Sequence, residues 1–160
     1  MCIKQRHVIA LALLVGSTAV PFAEISYCAD RVTNLQAGKT EIEGAWARTG
    51  VVVGALRLDD GYFAGQVLEI QADKFALRGG SGDWAGTLKV DPRKAPKTID
   101  FTMTGGRGAG ETWRGIYTLD KDGLRIYYTT GTDKPRPTTI PTTKFLNDIK
   151  YTLATFSRVR

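Results

Sequence analysis

Beyond position 29 this sequence has no cysteine and no histidine, because Cys2, Cys28 and His7 all precede that point. Their absence excludes disulfide bridges, histidine-based catalytic triads and Cys/His metal centres from the rest of the chain. Stability must therefore come from packing, and no metal site or cofactor is expected. Acidic pairs such as Asp59-Asp60 are interpreted as turn residues. A calcium site is not predicted there, because a calcium-binding loop would need more alternating oxygen ligands.

Long apolar runs are also missing. The most apolar stretch, Val8–Val15, is too short to span a bilayer stably, but it follows Lys4 and Arg6 and precedes small residues. This order is typical of a secretory signal peptide. We predict a signal peptide over residues 1–29, cleaved after residue 19, 23 or 29. The protein would then be secreted or periplasmic and would not cross the membrane once processed. An uncleaved anchor, or lipid attachment at Cys28, is the alternative.

Helical periodicity is absent after the signal peptide, and apolar residues instead alternate with polar ones. In Thr98–Thr104, for example, Ile99, Phe101 and Met103 share one face, which is the period of a half-buried strand. Val51–Leu58 either extends the first strand or forms a separate short segment. Eight strands are predicted near residues 42–50, 66–71, 74–79, 83–90, 98–104, 112–119, 123–130 and 150–159.

Short links join these runs. Ala72-Asp73 and Asp120–Gly123 are hairpin signals, and the Thr- and Pro-rich segment Gly131–Thr143 is predicted to run extended along the surface. Residues 30–40 are polar and are predicted to be a poorly ordered lead-in. Sequential antiparallel strands could form a sandwich or a barrel, and closure removes exposed edges. We therefore predict an all-β fold, an eight-stranded antiparallel up-and-down barrel, over residues 41–160.

Two separated features resemble the lipocalin arrangement of a G-x-W on the first strand and an arginine late in the chain. Here they are Gly44-Ala45-Trp46 and Arg158. The resemblance implies that the arginine guanidinium lies over the Trp ring and closes one end of the barrel. Gly44, Trp46 and Arg158 are therefore predicted to be structural.

Four further motifs are similar, in the same order, to those of a lipocalin-like domain family abundant in planctomycete bacteria. They are Pro96-Lys97-Thr98-Ile99-Asp100, Gly115-Ile116-Tyr117, Asp122-Gly123-Leu124 and Arg136-Pro137-Thr138. The resemblance covers residues 41–160 and implies a small lipocalin-like barrel in an extracytoplasmic bacterial protein. It implies no activity, because fold alone does not give function. The segment Asp59–Phe63 departs from the pattern as an insertion.

Candidate ligand contacts come from aromatic residues in phase with the apolar face of their strands. An eight-stranded barrel either is filled by such side chains or holds one small ligand among them. The glycine-rich loop Gly105–Gly110 fits no phosphate-binding pattern, because no Lys-Ser/Thr and no helix follow it. It is predicted to be a hairpin at the barrel mouth. The candidates are Trp84, Trp113, Tyr117 and Tyr128, with Arg107 as a contact to an acidic ligand.

These observations predict a non-enzymatic barrel that binds a small apolar or amphipathic molecule inside the barrel or at its mouth. A fully packed interior, with no cavity larger than a few waters, would count against this hypothesis. The alternative is a module that binds envelope proteins or acidic glycans through its basic outer surface and its loops, Gly131–Thr143 among them. Residues 89–160 contain 14 basic and 7 acidic residues. No cluster of adjacent basic residues indicates nucleic-acid binding. An enzyme would need carboxylates to meet in a cleft, the candidates being Glu41, Glu43, Glu69 and Glu111.

Overall fold

The structure is a computed structural model that describes residues 40–142, except 81 and 107, together with residue 146 and residues 148–160. The predicted signal peptide, its cleavage sites, Cys28 and nearly all of the lead-in lie outside the described residues. The described part of the chain contains a single 3₁₀ turn, Asp60–Phe63, and no α-helix. Its nine strands are β1 Gly44–Val53, β2 Leu56–Asp59, β3 Val67–Gln71, β4 Lys74–Arg78, β5 Trp84–Asp91, β6 Lys97–Gly105, β7 Thr112–Leu119, β8 Gly123–Thr129 and β9 Tyr151–Arg158.

Eight of these strands form a closed antiparallel barrel. From β3 to β9 each strand pairs with the next, and β9 returns to pair with β1. The first half of β1 pairs with β3, and its second half pairs with the short β2, which lies outside the ring of eight. This confirms the predicted eight-stranded up-and-down barrel and is consistent with a lipocalin-like fold. Val51–Leu58 resolves into the end of β1, a turn at Gly54-Ala55, and β2.

The tight links follow from local sequence. β3 and β4 are joined by Ala72-Asp73, where Ala72 takes a positive φ of 53°. β7 and β8 are joined by Asp120–Asp122, and the Asp120 amide donates to the Gly123 carbonyl at 2.9 Å. Each link turns the chain back at once, so that neighbours in sequence become neighbours in the barrel. This sequential order determines which inward-pointing side chains meet at each of the two ends of the barrel.

Residues 131–142, in the long connection between β8 and β9, run outside the barrel, and we call them the strap. It contains no regular strand, as the sequence predicted. Arg136 fastens it, because its Nη1 donates to the Gly115 carbonyl at 2.7 Å and its Nη2 donates to Asp100 Oδ2 at 2.9 Å. The Arg125 guanidinium also donates to the Pro141 carbonyl at 3.3 Å. The strap is therefore held against the outer face by charge-assisted hydrogen bonds.

Candidate functional site

One end of the barrel is closed by Trp46 and Arg158. The Trp46 side chain is fully buried, and its indole Nε1 donates to the Ile42 carbonyl at 2.8 Å. The Arg158 guanidinium carbon lies 4.3 Å from the centre of the indole ring, and Nη1 donates to the Glu43 carbonyl at 3.2 Å. Gly44 has a φ of +130°, and a Cβ there would lie 3.1 Å from Arg158 Nη1. The glycine of the G-x-W pattern thus leaves room for the arginine that covers the tryptophan.

Tyr117 also lies at this end. Its hydroxyl donates to Glu41 Oε1 at 2.9 Å, and Lys97 Nζ lies 2.6 Å from the same oxygen. Burial, and then the hydrogen bond to Glu41, raise the pKa of Tyr117 above the ordinary tyrosine value. The structure therefore separates Tyr117 from the other aromatic candidates and places it in a polar cluster at the closed end.

The other three aromatic candidates meet in the opposite half of the barrel. The rings of Trp84 and Trp113 are perpendicular, with centres 5.2 Å apart, and Trp113 stacks on Tyr128 with centres 5.8 Å apart. Trp113 Nε1 donates to Glu111 Oε2 at 2.7 Å. The cavity that these rings line has a volume of only about 30 Å³. A space of this size holds about two water molecules. In the described part of the chain, the aromatic residues therefore fill this half of the barrel, and a small organic molecule does not fit wholly within the cavity that they line.

A larger opening lies above this filled interior. It is a groove of about 620 Å³, which we call the mouth groove, bordered by Arg48, Tyr62, Gln66, Trp84 and Tyr128 among others. Its volume is within the range of small-molecule sites, which is roughly 300–1,000 Å³. A second hollow of about 450 Å³ adjoins it on the far side of Trp84 and includes Trp113 and Glu111.

The segment Asp59–Phe63 helps to form this groove. It ends β2 and makes the 3₁₀ turn, which places Tyr62 and Phe63 at the rim. Phe63 is buried, whereas 71% of Tyr62 is exposed, and their rings meet edge to face at 5.1 Å. A largely exposed aromatic ring beside an apolar groove is available for contact with a partner molecule.

Sequence reasoning missed Arg48, the one charged residue of the described chain that is buried in the barrel wall. It points inward from β1 and is only 8% exposed. Its Nη1 donates to Gln66 Oε1 at 3.0 Å, and its guanidinium carbon lies 4.8 Å from the centre of the Phe63 ring. The signal was present, because Arg48 follows Trp46 by two residues and so shares its inward face.

The loop Gly105–Gly110 lies beside the mouth groove, which Gly106 borders. Arg107 itself lies outside the described residues, so its predicted role as an anion contact stays a prediction. The Glu111 carboxylate that follows the loop accepts the Trp113 hydrogen bond and so fixes the wall of the adjoining hollow.

The carboxylates considered for catalysis have separate partners. Glu41 pairs with Lys97, Glu69 with Arg78 at 3.1 Å, and Glu111 with the Trp113 indole. Over the described ranges, no group of three or more acidic, cysteine or histidine residues is arranged to hold a metal ion. Within the same part of the chain, no helix has the length and apolar character needed to cross a membrane.

Comparisons with models of known protein families, with curated proteins and with solved structures found no match to this chain.

Proposed function

We propose that this chain is an exported, non-enzymatic binding protein that takes a small amphipathic molecule at the mouth of its barrel. The observation that carries the proposal is the mouth groove, a space of about 620 Å³ over an interior that is almost filled. Such a molecule would lie across the groove with its apolar part against Trp84, Leu77 and Tyr62. The kinship with the lipocalin-like domain family is part of this proposal.

The physical support is the composition of the wall. Apolar and aromatic side chains supply the area that is removed from water on binding, while a few polar groups, Arg48 and Gln66 among them, fix orientation. The filled interior favours a binding site at the mouth rather than inside the barrel, because any molecule larger than two waters would have to displace the rings of the core. The separate pairing of the carboxylates favours binding over hydrolysis.

The direct test is native mass spectrometry on protein purified gently from its own exported fraction, followed by solvent extraction. We expect a reproducible added mass that extracts as one small amphipathic compound. Thr130→Trp would place an indole in the groove, which Thr130 borders, and should abolish that added mass. Thr118→Trp is the matched control, because Thr118 is exposed on the outer face of β7. Equal loading of both variants would contradict the proposal.

The envelope-interaction alternative remains a prediction that rests on the basic composition of residues 89–160. Its test is the salt dependence of binding to acidic polysaccharide, since contacts between exposed charges weaken as ionic strength rises. Thr130→Trp should leave such binding unchanged.

A further inference from the structure

Arg48 joins the mouth groove to the small interior cavity. Its side chain borders both spaces, as do those of Leu77, Trp84 and Tyr128. A register shift between Arg48 and Gly50, where β1 pairs with β9, marks a bulge directly after the arginine. Bulges commonly re-aim a side chain beside a functional site. The guanidinium thus lies at the point where a ligand in the mouth groove would first contact the barrel interior.

The hydrogen bonding of this guanidinium is incomplete. Nη1 donates to Gln66, but Nε is buried and has no acceptor among the described residues. Nor does any carboxylate of the described chain form an ion pair with Arg48. The Tyr128 hydroxyl also hydrogen-bonds to the guanidinium, and the other neighbours are the rings of Phe63 and Phe156, at 4.8 Å and 5.7 Å from the guanidinium carbon.

This arrangement is costly in the absence of an anion. An arginine remains charged at any pH at which the protein is folded, so burial cannot be relieved by losing a proton. Contacts with aromatic faces recover part of the lost hydration, but they provide no acceptor for the Nε–H group. A buried, unpaired cation at the base of an apolar groove is therefore suited to an anionic group carried by an apolar molecule.

We propose that the mouth groove binds a monocarboxylate with an apolar tail, whose carboxylate occupies the small cavity and accepts hydrogen bonds from Arg48. This inference rests on the proposed function and specifies the chemistry of its ligand. The planar fork of a guanidinium matches the two oxygens of a carboxylate, and their interaction is strengthened by charge.

The size of the cavity supports a carboxylate over larger anions. Its volume of about 30 Å³ corresponds to two water molecules, and so to the two oxygens of a carboxylate. A tetrahedral sulfate or phosphate group is bulkier than a planar carboxylate and fits this volume less well. Tyr128 borders the same cavity, and its hydroxyl hydrogen-bonds to Arg48 and Thr152. Burial raises the pKa of this hydroxyl, whereas the contacts with Arg48 and Thr152 act in the opposite direction.

The other charges around the opening favour a single negative charge on the ligand. Asp83 borders the mouth groove and accepts from the Gly79 amide at 3.2 Å, and Glu111 borders the adjoining hollow. Both are acidic, so they repel a second anionic group at the rim while Arg48 attracts the first one at the base.

The experiment compares ligands that share one linear alkyl tail and differ in the headgroup: the carboxylate, the alcohol and the alkyl sulfate. Each is titrated below its micelle concentration into the full chain and into Arg48→Met and Arg48→Lys, by calorimetry and tryptophan fluorescence. Arg114→Met is the matched control, because Arg114 is exposed on β7 and its loss changes the net charge equally.

We expect the wild-type chain and Arg114→Met to bind the carboxylate about tenfold to a hundredfold more tightly than the alcohol, the scale of one charged hydrogen bond. Arg48→Met should bind both equally, with the alcohol affinity unchanged. Arg48→Lys should keep part of the preference. In the wild-type complex, carbon-13 resonance of a labelled carboxylate should show that it stays ionised below the pH at which the free acid protonates.

Each contrary outcome has a separate meaning. Equal binding of carboxylate and alcohol to the wild-type chain overturns the carboxylate inference but leaves the proposed function standing. If Arg48→Met still prefers the carboxylate to the alcohol as strongly as the wild-type chain does, the carboxylate inference is likewise overturned and the proposed function stands. Sulfate binding as tight as carboxylate binding overturns the size argument and with it the choice of carboxylate. Failure of all three ligands to bind the wild-type chain overturns the proposed function itself. If Arg48→Met does not fold, the labelled carboxylate decides, because an unshifted ligand pKa in the wild-type complex contradicts contact with Arg48.

Discussion

Replacing Trp46 by alanine tests how the closed end of the barrel is held together. The indole is fully buried, donates one hydrogen bond to the Ile42 carbonyl and lies under the Arg158 guanidinium. Truncating a buried tryptophan costs about 3–5 kcal/mol through lost burial and the cavity left behind. Losing the cation–π contact and leaving the Ile42 carbonyl without its donor add about 1 kcal/mol more. We therefore expect Trp46→Ala to lower the free energy of unfolding by about 4–6 kcal/mol.

That loss is comparable to the whole stability of many domains, which is about 5–15 kcal/mol. The assay is urea unfolding followed by far-ultraviolet circular dichroism, which does not depend on the tryptophan removed. A change confined to stability shifts the midpoint and leaves the slope unchanged. Trp46→Phe keeps most of the buried area but loses the indole N–H, so we expect a smaller cost of about 1–2 kcal/mol.

Trp84→Ala is the matched control, because it makes the same substitution at the mouth. Trp84 is only partly buried and packs against Trp113 beside open space, so its loss should cost about 1–3 kcal/mol. The conclusion that Trp46 holds the closed end together is wrong if Trp46→Ala lowers the free energy of unfolding by less than about 1 kcal/mol, or by no more than Trp84→Ala does.

Three further predictions concern other parts of the barrel. Gly86→Ala should cost more than about 2 kcal/mol in urea unfolding, because its methyl group would collide with the backbone of β6. The hydrogen bond from Lys97 lowers the pKa of Glu41, so its contribution is present above the unfolded value near 4.5 and is lost as pH falls below it. Glu41→Gln should remove this pH dependence, which is at most about 1 kcal/mol for a partly solvated pair. Arg136→Lys should lose the paired contacts to Asp100 and the Gly115 carbonyl, and limited proteolysis should then cut the strap faster at an overall cost of about 1–3 kcal/mol.

Most of the barrel could be predicted from the sequence because its strands alternate cleanly. Thr98–Thr104 buries one face, so a slip of one residue would expose every apolar side chain on it. Thr112–Leu119 alternates in the same way but also buries Ile116 on its opposite face. Val51–Leu58 could not be resolved in the same way. Its run of valines is equally apolar on both faces, so periodicity alone does not locate the turn at Gly54.

The candidate site was harder to predict than the fold. Alternation placed Tyr117 and Tyr128 on inward faces but could not show that they lie at opposite ends of the barrel, since this depends on strand stagger. Whether the interior is open depends on the summed volume of side chains from every strand. Arg48 was overlooked because arginine is rarely buried, although its inward position follows from the same alternation that identified Trp46.

The pairing of β9 with both β8 and β1 has a consequence for the order in which this chain can fold. Until β9, Tyr151–Arg158, has paired, β1 and β8 each have an edge whose backbone hydrogen-bonding groups are unpaired, even if the other strands have formed their hydrogen bonds. Closing the ring joins segments more than a hundred residues apart, which makes folding slow in comparison with proteins dominated by local contacts. A chain cut before Tyr151 should therefore retain its hairpins yet self-associate through those two edges.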